Sequence, residues 1–440
     1  MNPRDFVTAL RSAAPYVHRH RGAVCVVAFG GEIAQREDFN ALIYDLALLH
    51  SLGMQLVLVH GARPQIESQM AAAGLAPQYA GEYRITDAAA LECSKQAAGA
   101  LRLEIEARLS TSLANTPMSG ARIQVAGGNW ITARPVGVRD GVDYQHTGEV
   151  RSVDADSIRK ALGDERIALI SPLAYARTGE IFNLRASELA TAVAIALDAD
   201  KLIFVSASNP REWHLAQDAG DAGQLSTQAA QTLLAKKTTL DTQDRRYLRA
   251  ALAAVNGGVR RVHLVAAQTQ GVLLRELFTR DGRGLMIYAD AHYEAVHQAG
   301  IEDVGGILAL IEPLEQSGVL VPRSREQLEL EIGNFDVMLR DGLVIACCAL
   351  FPFAENAMAE LACVAVHPDY RKSGRAGALL QRAEARARQQ GLRRLFTLTT
   401  HTPHWFIEHG FEKASLDALP MARQRIYNFQ RNSTVLIKSL

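Results

Sequence analysis

The sequence predicts an α/β protein in two consecutive parts. The first, residues 1–288, is an open, mostly parallel α/β/α sheet; the second, residues 291–440, is a smaller α/β part on a mixed sheet. Three observations predict this. Apolar runs that end in glycine turns alternate with helical patterns in the first part, the grammar of βαβ units. After about residue 288 apolar runs are joined by a hairpin signal instead. The 440 residues exceed one ordinary domain, and 48% hydrophobic with 21% charged residues is a globular composition.

The elements follow in order. MNPRDFVTALRSAAPYVHRHRG carries Phe6, Leu10, Ala13 and Val17 at steps of three and four, which predicts an amphipathic helix. AVCVVA at 23–28 ends at Gly30–Gly31, a helical pattern runs through Leu46, Leu49 and Leu52, and QLVLV at 55–59 ends at His60–Gly61. The same grammar returns in IALIS at 167–171, a helix over Glu188 to Leu197, KLIFVSA at 201–207 and VRRVHLV at 259–265. Residues 209–222 and 281–284 read as loops. Beyond the boundary, 301–314 reads as helix, and FDVML and LVIACCALF flank the Asp341–Gly342 turn. MAELACVAV at 358–366 and LFTLTT at 395–400 read as strands around a helix over 374–390.

Composition excludes several classes. Forty-seven basic residues balance 47 acidic ones, so no basic field invites nucleic acid. No apolar run approaches the roughly 20 residues a membrane span needs, and the N-terminus lacks the apolar core of a signal peptide. Five cysteines without a CxxC pair read as buried thiols. The expectation is a cytoplasmic protein without metal.

The segment VAVHPDYRKSGRAGALL, 364–380, carries the most chemistry. A strand ends at Val366, a tight turn holds Arg371, Lys372, Ser373, Gly374, Arg375, Ala376 and Gly377, and a helix begins there. Successive amides of such a turn, with the helix N-terminus, form a pyrophosphate cradle. There is no Walker A motif and no GxGxxG. R-x-x-G-x-A between strand and helix resembles the acetyl-CoA loop of the GNAT acetyltransferases, and the preceding hairpin and the HWFIEHGF segment at 404–411 match that fold's order. The resemblance implies that backbone groups of Cys363, Val364 and Val366 hold the pantetheine arm, with acetyl-CoA as co-substrate and no further cofactor. An attacking amine must lose a proton, which calls for a base. Glu360, on the apolar strand MAELACVAV, is the candidate, with raised basicity expected from its apolar flanks; its structural alternative is a salt bridge. Relatives place a tyrosine as general acid in the segment where Trp405 and Phe406 stand, which leaves Thr399, His401 and Tyr427 as candidate donors.

VVAFGGEI, LVLVHGARPQI and GEYRIT resemble the amino-acid kinases, especially acetylglutamate kinases. The lysine those kinases carry two residues before the first GG pair is Ala28 here, no lysine precedes Lys95, and the aspartate of N-x-x-A-D is Ser187. Phosphoryl transfer rests on such charge stabilisation, so this part is expected to be catalytically dead; Lys236 or Lys237 could imitate only the other lysine. GVLLRELFTRDGRGLMI, 271–287, resembles the arginine-sensing signature of feedback-inhibited members. That implies an allosteric arginine site with Tyr16, Glu276 and Gly282.

A kinase-like part fused to a GNAT part resembles the bacterial N-acetylglutamate synthases, which open arginine biosynthesis. The resemblance implies acetyl transfer from acetyl-CoA to L-glutamate, L-arginine as effector, and a homo-oligomer, a hexamer. Two substrate carboxylates call for forked cations; Arg323 and Arg431 are the candidates by resemblance, with Arg325 and Arg425 next.

Overall fold

The computed structural model describes residues 3–114, 116–213, 223–235, 240–279, 282–288, 295–340, 343–371, 374–428 and 433–440. The chain divides into two compact units, Met1–Asp290 and Ala291–Leu440.

The first unit is built on an eight-stranded sheet. From edge to edge it runs Gln224–Ser226, Leu285–Tyr288, Arg261–Ala266, Lys201–Ser206, Val24–Phe29, Gln55–His60, Arg166–Ile170 and Gln124–Ala126. Pairing is parallel throughout except between Arg261–Ala266 and Leu285–Tyr288. The central strands are apolar on both faces because both faces are covered. Cys25, Val27 and Phe29 pack with helices Phe39–Ser51 and Ala88–Leu109, while Val26 and Ala28 pack with Ala186–Ala196 and Thr242–Asn256. A second sheet of four strands, ordered Ile181–Asn183, Leu173–Tyr175, Ile131–Pro135 and Gly148–Val153, lies outside the sequence expectation. Its strands are three to six residues long and half exposed, too short for a periodic signal.

The N-terminal helix Pro3–His20 forms as its spacing predicts. It is tied at its C-terminal end, where buried His20 meets the Leu277 carbonyl at 3.0 Å and the Phe278 ring edge-on at 5.8 Å. Its apolar Phe6 and Leu10 are exposed.

The second unit is a seven-stranded sheet ordered Ala295–Gln298, Phe335–Arg340, Leu343–Phe353, Met358–Val366, Arg394–Thr399, Thr434–Ser439 and Glu412–Lys413. Phe335–Arg340 and Leu343–Phe353 pair antiparallel as expected; the Asp341–Gly342 turn between them lies outside the described residues. Helix Arg375–Gln389 covers one face through Leu379, Leu380, Ala383 and Ala387, and helix Val304–Gln316 covers the other through Val304, Ile307 and Ile311. One adjacency is parallel, Met358–Val366 with Arg394–Thr399, and it is paired only from Met358–Glu360 to Arg394–Phe396. Beyond Glu360 and Phe396 the strands part, opening a wedge in the sheet.

Candidate active site

Three backbone features meet at the wedge. The strand Met358–Val366 carries a bulge: Cys347 faces Ala365 and Ala349 faces Ala362, so Cys363 and Val364 oppose Cys348 alone. Cys363 has φ +53°, a left-handed conformation for a non-glycine residue, and its carbonyl accepts from the Cys347 thiol at 3.6 Å. The bulge breaks the alternation. Ala359, Leu361, Val364 and Val366 pack toward helix Arg375–Gln389, whereas Cys363 and Ala365 join the cluster of Val304 and Ile307. On the opposite edge of the same strand, pairing with Arg394–Thr399 stops at Glu360, so the backbone beyond it lies outside that ladder on the side of the wedge.

The turn after Val366 contains a short 3₁₀ segment, Pro368–Tyr370, and enters the helix at Gly374, φ +75° and ψ 0°. No side chain caps the helix N-terminus among the described residues, so the first amides of Arg375, Ala376 and Gly377 face outward. Lys372 and Ser373 lie outside the described residues. The Arg371 Nε donates to the Val366 carbonyl at 3.3 Å, which closes the turn onto the strand. The Arg375 side chain turns inward: it is buried, donates to the Tyr370 carbonyl at 3.0 Å and lies over the Tyr370 ring. Its contribution to an anion at the cradle is therefore its amide and not its guanidinium. A Cβ at Gly377 would stand 3.7 Å from His409 Nε2; the His409 ring stacks on Trp405 at 4.2 Å and its Nδ1 donates to the Trp405 carbonyl at 2.8 Å.

Glu360 stands where parallel pairing ends. The sequence expectation of an apolar setting needs correction. Arg423, on the short helix Met421–Gln424, forks onto the carboxylate, Nε to Oε2 at 2.7 Å and Nη2 to Oε1 at 3.1 Å. Both side chains are mostly buried, at 12% and 18% exposure. Sequence reasoning missed Arg423, because 63 residues separate the partners and only the docking of Met421–Gln424 joins them.

Arg323 is half-buried; its amide donates to Glu315 at 3.0 Å. The Cys363 thiol is drawn below its ordinary value first by its hydrogen bond with Cys347, against burial, and further by the charge of the Arg323 guanidinium, whose Nη1 donates to the Val321 carbonyl at 3.4 Å. Arg431 lies outside the described residues. Arg325 is exposed and engaged with Glu329 at 2.8 Å. Of the candidate proton donors, the Tyr427 hydroxyl donates to the Ser433 carbonyl at 2.8 Å, and exposed His401 bonds Thr400 at 2.7 Å.

In the first unit Ala28 is buried mid-strand and Ser187 lies in the first turn of helix Ala186–Ala196; Lys236 and Lys237 lie outside the described residues. Glu276 is buried. It accepts from His263 Nδ1 at 2.7 Å and from the Arg283 and Gly284 amides at 2.6 Å each. Burial opposes its charge, yet the His263 bond and those amides hold the carboxyl below its ordinary range. Burial also pushes His263 down, so the neutral ring donates from Nδ1, and Nε2 is buried without a partner among the described residues. Gly282, φ +54°, leaves no room for a Cβ against the Glu276 carboxylate. Lys201, buried on the next strand, is pulled by burial to about 7. Tyr16 is half-buried on the N-terminal helix. His263, Lys201 and His20 went unnoticed in the sequence, since each lies inside or beside an apolar run.

Two family models match. The Amino acid kinase family covers residues 23–266 and the Acetyltransferase (GNAT) family residues 309–411. The amino-acid acetyltransferase of Ectopseudomonas mendocina (strain ymp) is 50% identical over 437 residues, 99% of this chain and all of that protein. The chain belongs to the amino-acid acetyltransferase family. It is thus an acyltransferase with an amino-acid kinase-like part and a GNAT part, as the sequence predicts. The amino-acid acetyltransferase of Azotobacter vinelandii (strain DJ / ATCC BAA-1303) has the same 50% identity over 438 residues, again 99% of this chain and all of that protein. Among solved structures, N-acetylglutamate synthase from Neisseria gonorrhoeae complexed with coenzyme A and L-arginine is 37% identical, with TM-score 0.88 over 99% of both chains. The same enzyme complexed with coenzyme A and N-acetyl-glutamate is 38% identical, with TM-score 0.62 over 99% of both chains. Among the described residues no helix is long and apolar enough to cross a membrane.

Proposed function

We propose that this acetyltransferase moves the acetyl group of acetyl-CoA to the α-amino group of L-glutamate, with L-arginine as effector bound in the first unit. The wedge at Glu360 carries the reading. It offers a cleft for an extended arm, the strand edge beyond Glu360 offers backbone groups outside the parallel ladder, and the uncapped helix at Gly374 offers amides to a pyrophosphate. The gonococcal structures, with their bound coenzyme A, arginine and N-acetyl-glutamate, support the ligand set.

In this reading the amine attacks the thioester carbonyl, the C–N bond forms and the C–S bond breaks. Glu360, oriented by Arg423, takes the amine proton directly or through water, and the thiolate is protonated as it leaves. Cys363, Val364 and Val366 hold the pantetheine, and residues 371–377 hold the pyrophosphate. Arg323 and Arg431 clamp the substrate carboxylates. Arginine is recognised by Tyr16, Glu276 and the backbone at Gly282, with the open His263 Nε2 as an additional acceptor for a guanidinium. The first unit does not phosphorylate, because Ala28 and Ser187 stand where a cation and its organiser are required. Copies assemble as a hexamer through the N-terminal helix, whose exposed Phe6 and Leu10 suit an interface.

A thiol-capture assay of CoA release tests this. Glutamate should support turnover that unrelated amines do not, and arginine should change it. Equal rates with all amines would remove glutamate, and an arginine response surviving Glu276→Ala would move the effector site. Incubation with ATP, Mg²⁺ and N-acetylglutamate should yield no acyl phosphate, read as the hydroxamate.

A further inference from the structure

Helix Val272–Phe278 carries Glu276 and is held at both ends by residues outside it. At its C-terminal end the Leu277 carbonyl meets His20. At its N-terminal end the chain enters through Gly271, φ +65°, which has no side chain to cap the helix. The residues that follow are buried, Val272 at 3% exposure and Leu273 at 0%. A buried amide without an acceptor is costly, so an acceptor must come from elsewhere. It comes from Asp45 on helix Phe39–Ser51, 228 residues away in sequence. Asp45 Oδ2 accepts from the Leu273 amide at 3.2 Å, and the Leu274 amide also bears on the carboxylate.

A carboxylate is a costly group for this task. Asp45 is 6% exposed, and burial pushes its carboxyl up to about 6. The two amides offset that only in part, and no cation is among its partners within the described residues. An asparagine oxygen would accept the same bond without a buried charge. Stability alone therefore does not call for the charge. What the charge adds is a stronger bond, aimed at the positive end of the helix. Leu273 lies three residues before Glu276, one turn away on the same face. Fixing its amide fixes the turn from which Glu276 reaches His263 and the Arg283 and Gly284 amides.

We propose that Asp45 is a positioning residue for the effector site: its carboxylate anchors the helix that presents Glu276 and so sets how tightly L-arginine is held. This rests on the reading that places arginine at Glu276. Without the anchor, the free chain spreads over helix positions of which only a fraction presents Glu276 correctly, and the apparent affinity falls by that fraction. Asp45 belongs to the first unit and the acetyl-transfer wedge to the second, so basal turnover does not depend on the anchor.

Calorimetric titration of the full chain with L-arginine, beside CoA release measured without arginine, tests this. Asp45→Asn keeps the acceptor and removes the charge. It should melt no lower than the parent at pH 7, yet bind arginine about two- to fivefold more weakly, the range a carboxylate commands at a helix N-terminus. Asp45→Ala removes the acceptor as well and should weaken arginine further. Basal kcat and both KM values should stay at parental levels in both variants. Unchanged arginine affinity in the two variants, or a basal kcat that falls in step with it, overturns the proposal. An Asp45→Asn chain that melts well below the parent also overturns it, because the charge then serves the fold. Glu276→Ala separates the two readings. Binding abolished at Glu276 but untouched at Asp45 removes the anchor alone. Binding that survives Glu276→Ala, or none to the parent, removes the effector site and the anchor with it.

Discussion

Glu360 has one guanidinium fork, from Arg423, and sits at the last paired position of its parallel ladder. A base there must be both available and aimed, and the fork supplies aim. Glu360→Gln is expected to lower kcat about 10²-fold, the usual scale for a general base, with the KM for acetyl-CoA little changed. An unaltered kcat would leave the pair a structural bridge. Arg423→Ala leaves a mostly buried carboxylate unpaired and should cost about 1–3 kcal/mol in urea denaturation as well as rate. Arg423→Lys keeps the charge without the fork, so it should recover stability more than kcat. At this scale the sequence was legible where a residue's backbone conformation rests on its own turn, as with Gly374 and Gly282, both at positive φ. It was silent where the role rests on a partner brought from afar, as with Arg423 and His263.

At the scale of elements, the turn into helix Arg375–Gln389 depends on Gly374 for conformation and not for space. Among the described residues no heavy atom beyond its chain neighbours lies within 4 Å of a Cβ built there, but φ is +75°. Gly374→Ala should therefore cost only about 1 kcal/mol in a thermal or urea melt. Gly374→Val should cost more, and both should raise the KM for acetyl-CoA relative to that for glutamate. Equal KM changes for the two substrates would separate this turn from coenzyme binding. The main strands were legible because each is an apolar run buried on both faces, and the helices because their apolar positions recur at three and four. The bulge was not, because nothing about a cysteine announces φ +53°. The parting of the two parallel strands was equally hidden, since it is a property of pairing between segments and not of either segment.

Across the whole molecule, stability should carry a pH signature from Lys201. Burial drops its folded value to about 7 against 10.5 in the unfolded chain. Between those values the unfolded chain holds the extra proton, so this residue's contribution makes the fold more stable as pH rises from about 7 toward 10.5. Lys201→Met removes the penalty; its advantage over the parent in thermal melts should be largest below pH 7 and shrink above it. A constant difference across that range would place the ammonium in water. The same unit should lose its arginine response, with basal transfer retained, when residues 1–20 are deleted. His20 ties that helix to the segment bearing Glu276, through the Leu277 carbonyl.

The stacked pair beside the cradle has an optical consequence. The sequence contains three tryptophans, Trp130, Trp213 and Trp405, and the last alone belongs to the second unit. Its indole stacks on His409, which stands near Gly377 at the helix entrance, where a Cβ would lie 3.7 Å from its Nε2. With Trp130 and Trp213 changed to Phe, all indole emission would come from Trp405. A shift of a few tenths of an ångström at the helix entrance would change how the imidazole quenches it. Occupancy of the cradle could then be followed in real time by intrinsic fluorescence, with no label attached and no turnover required.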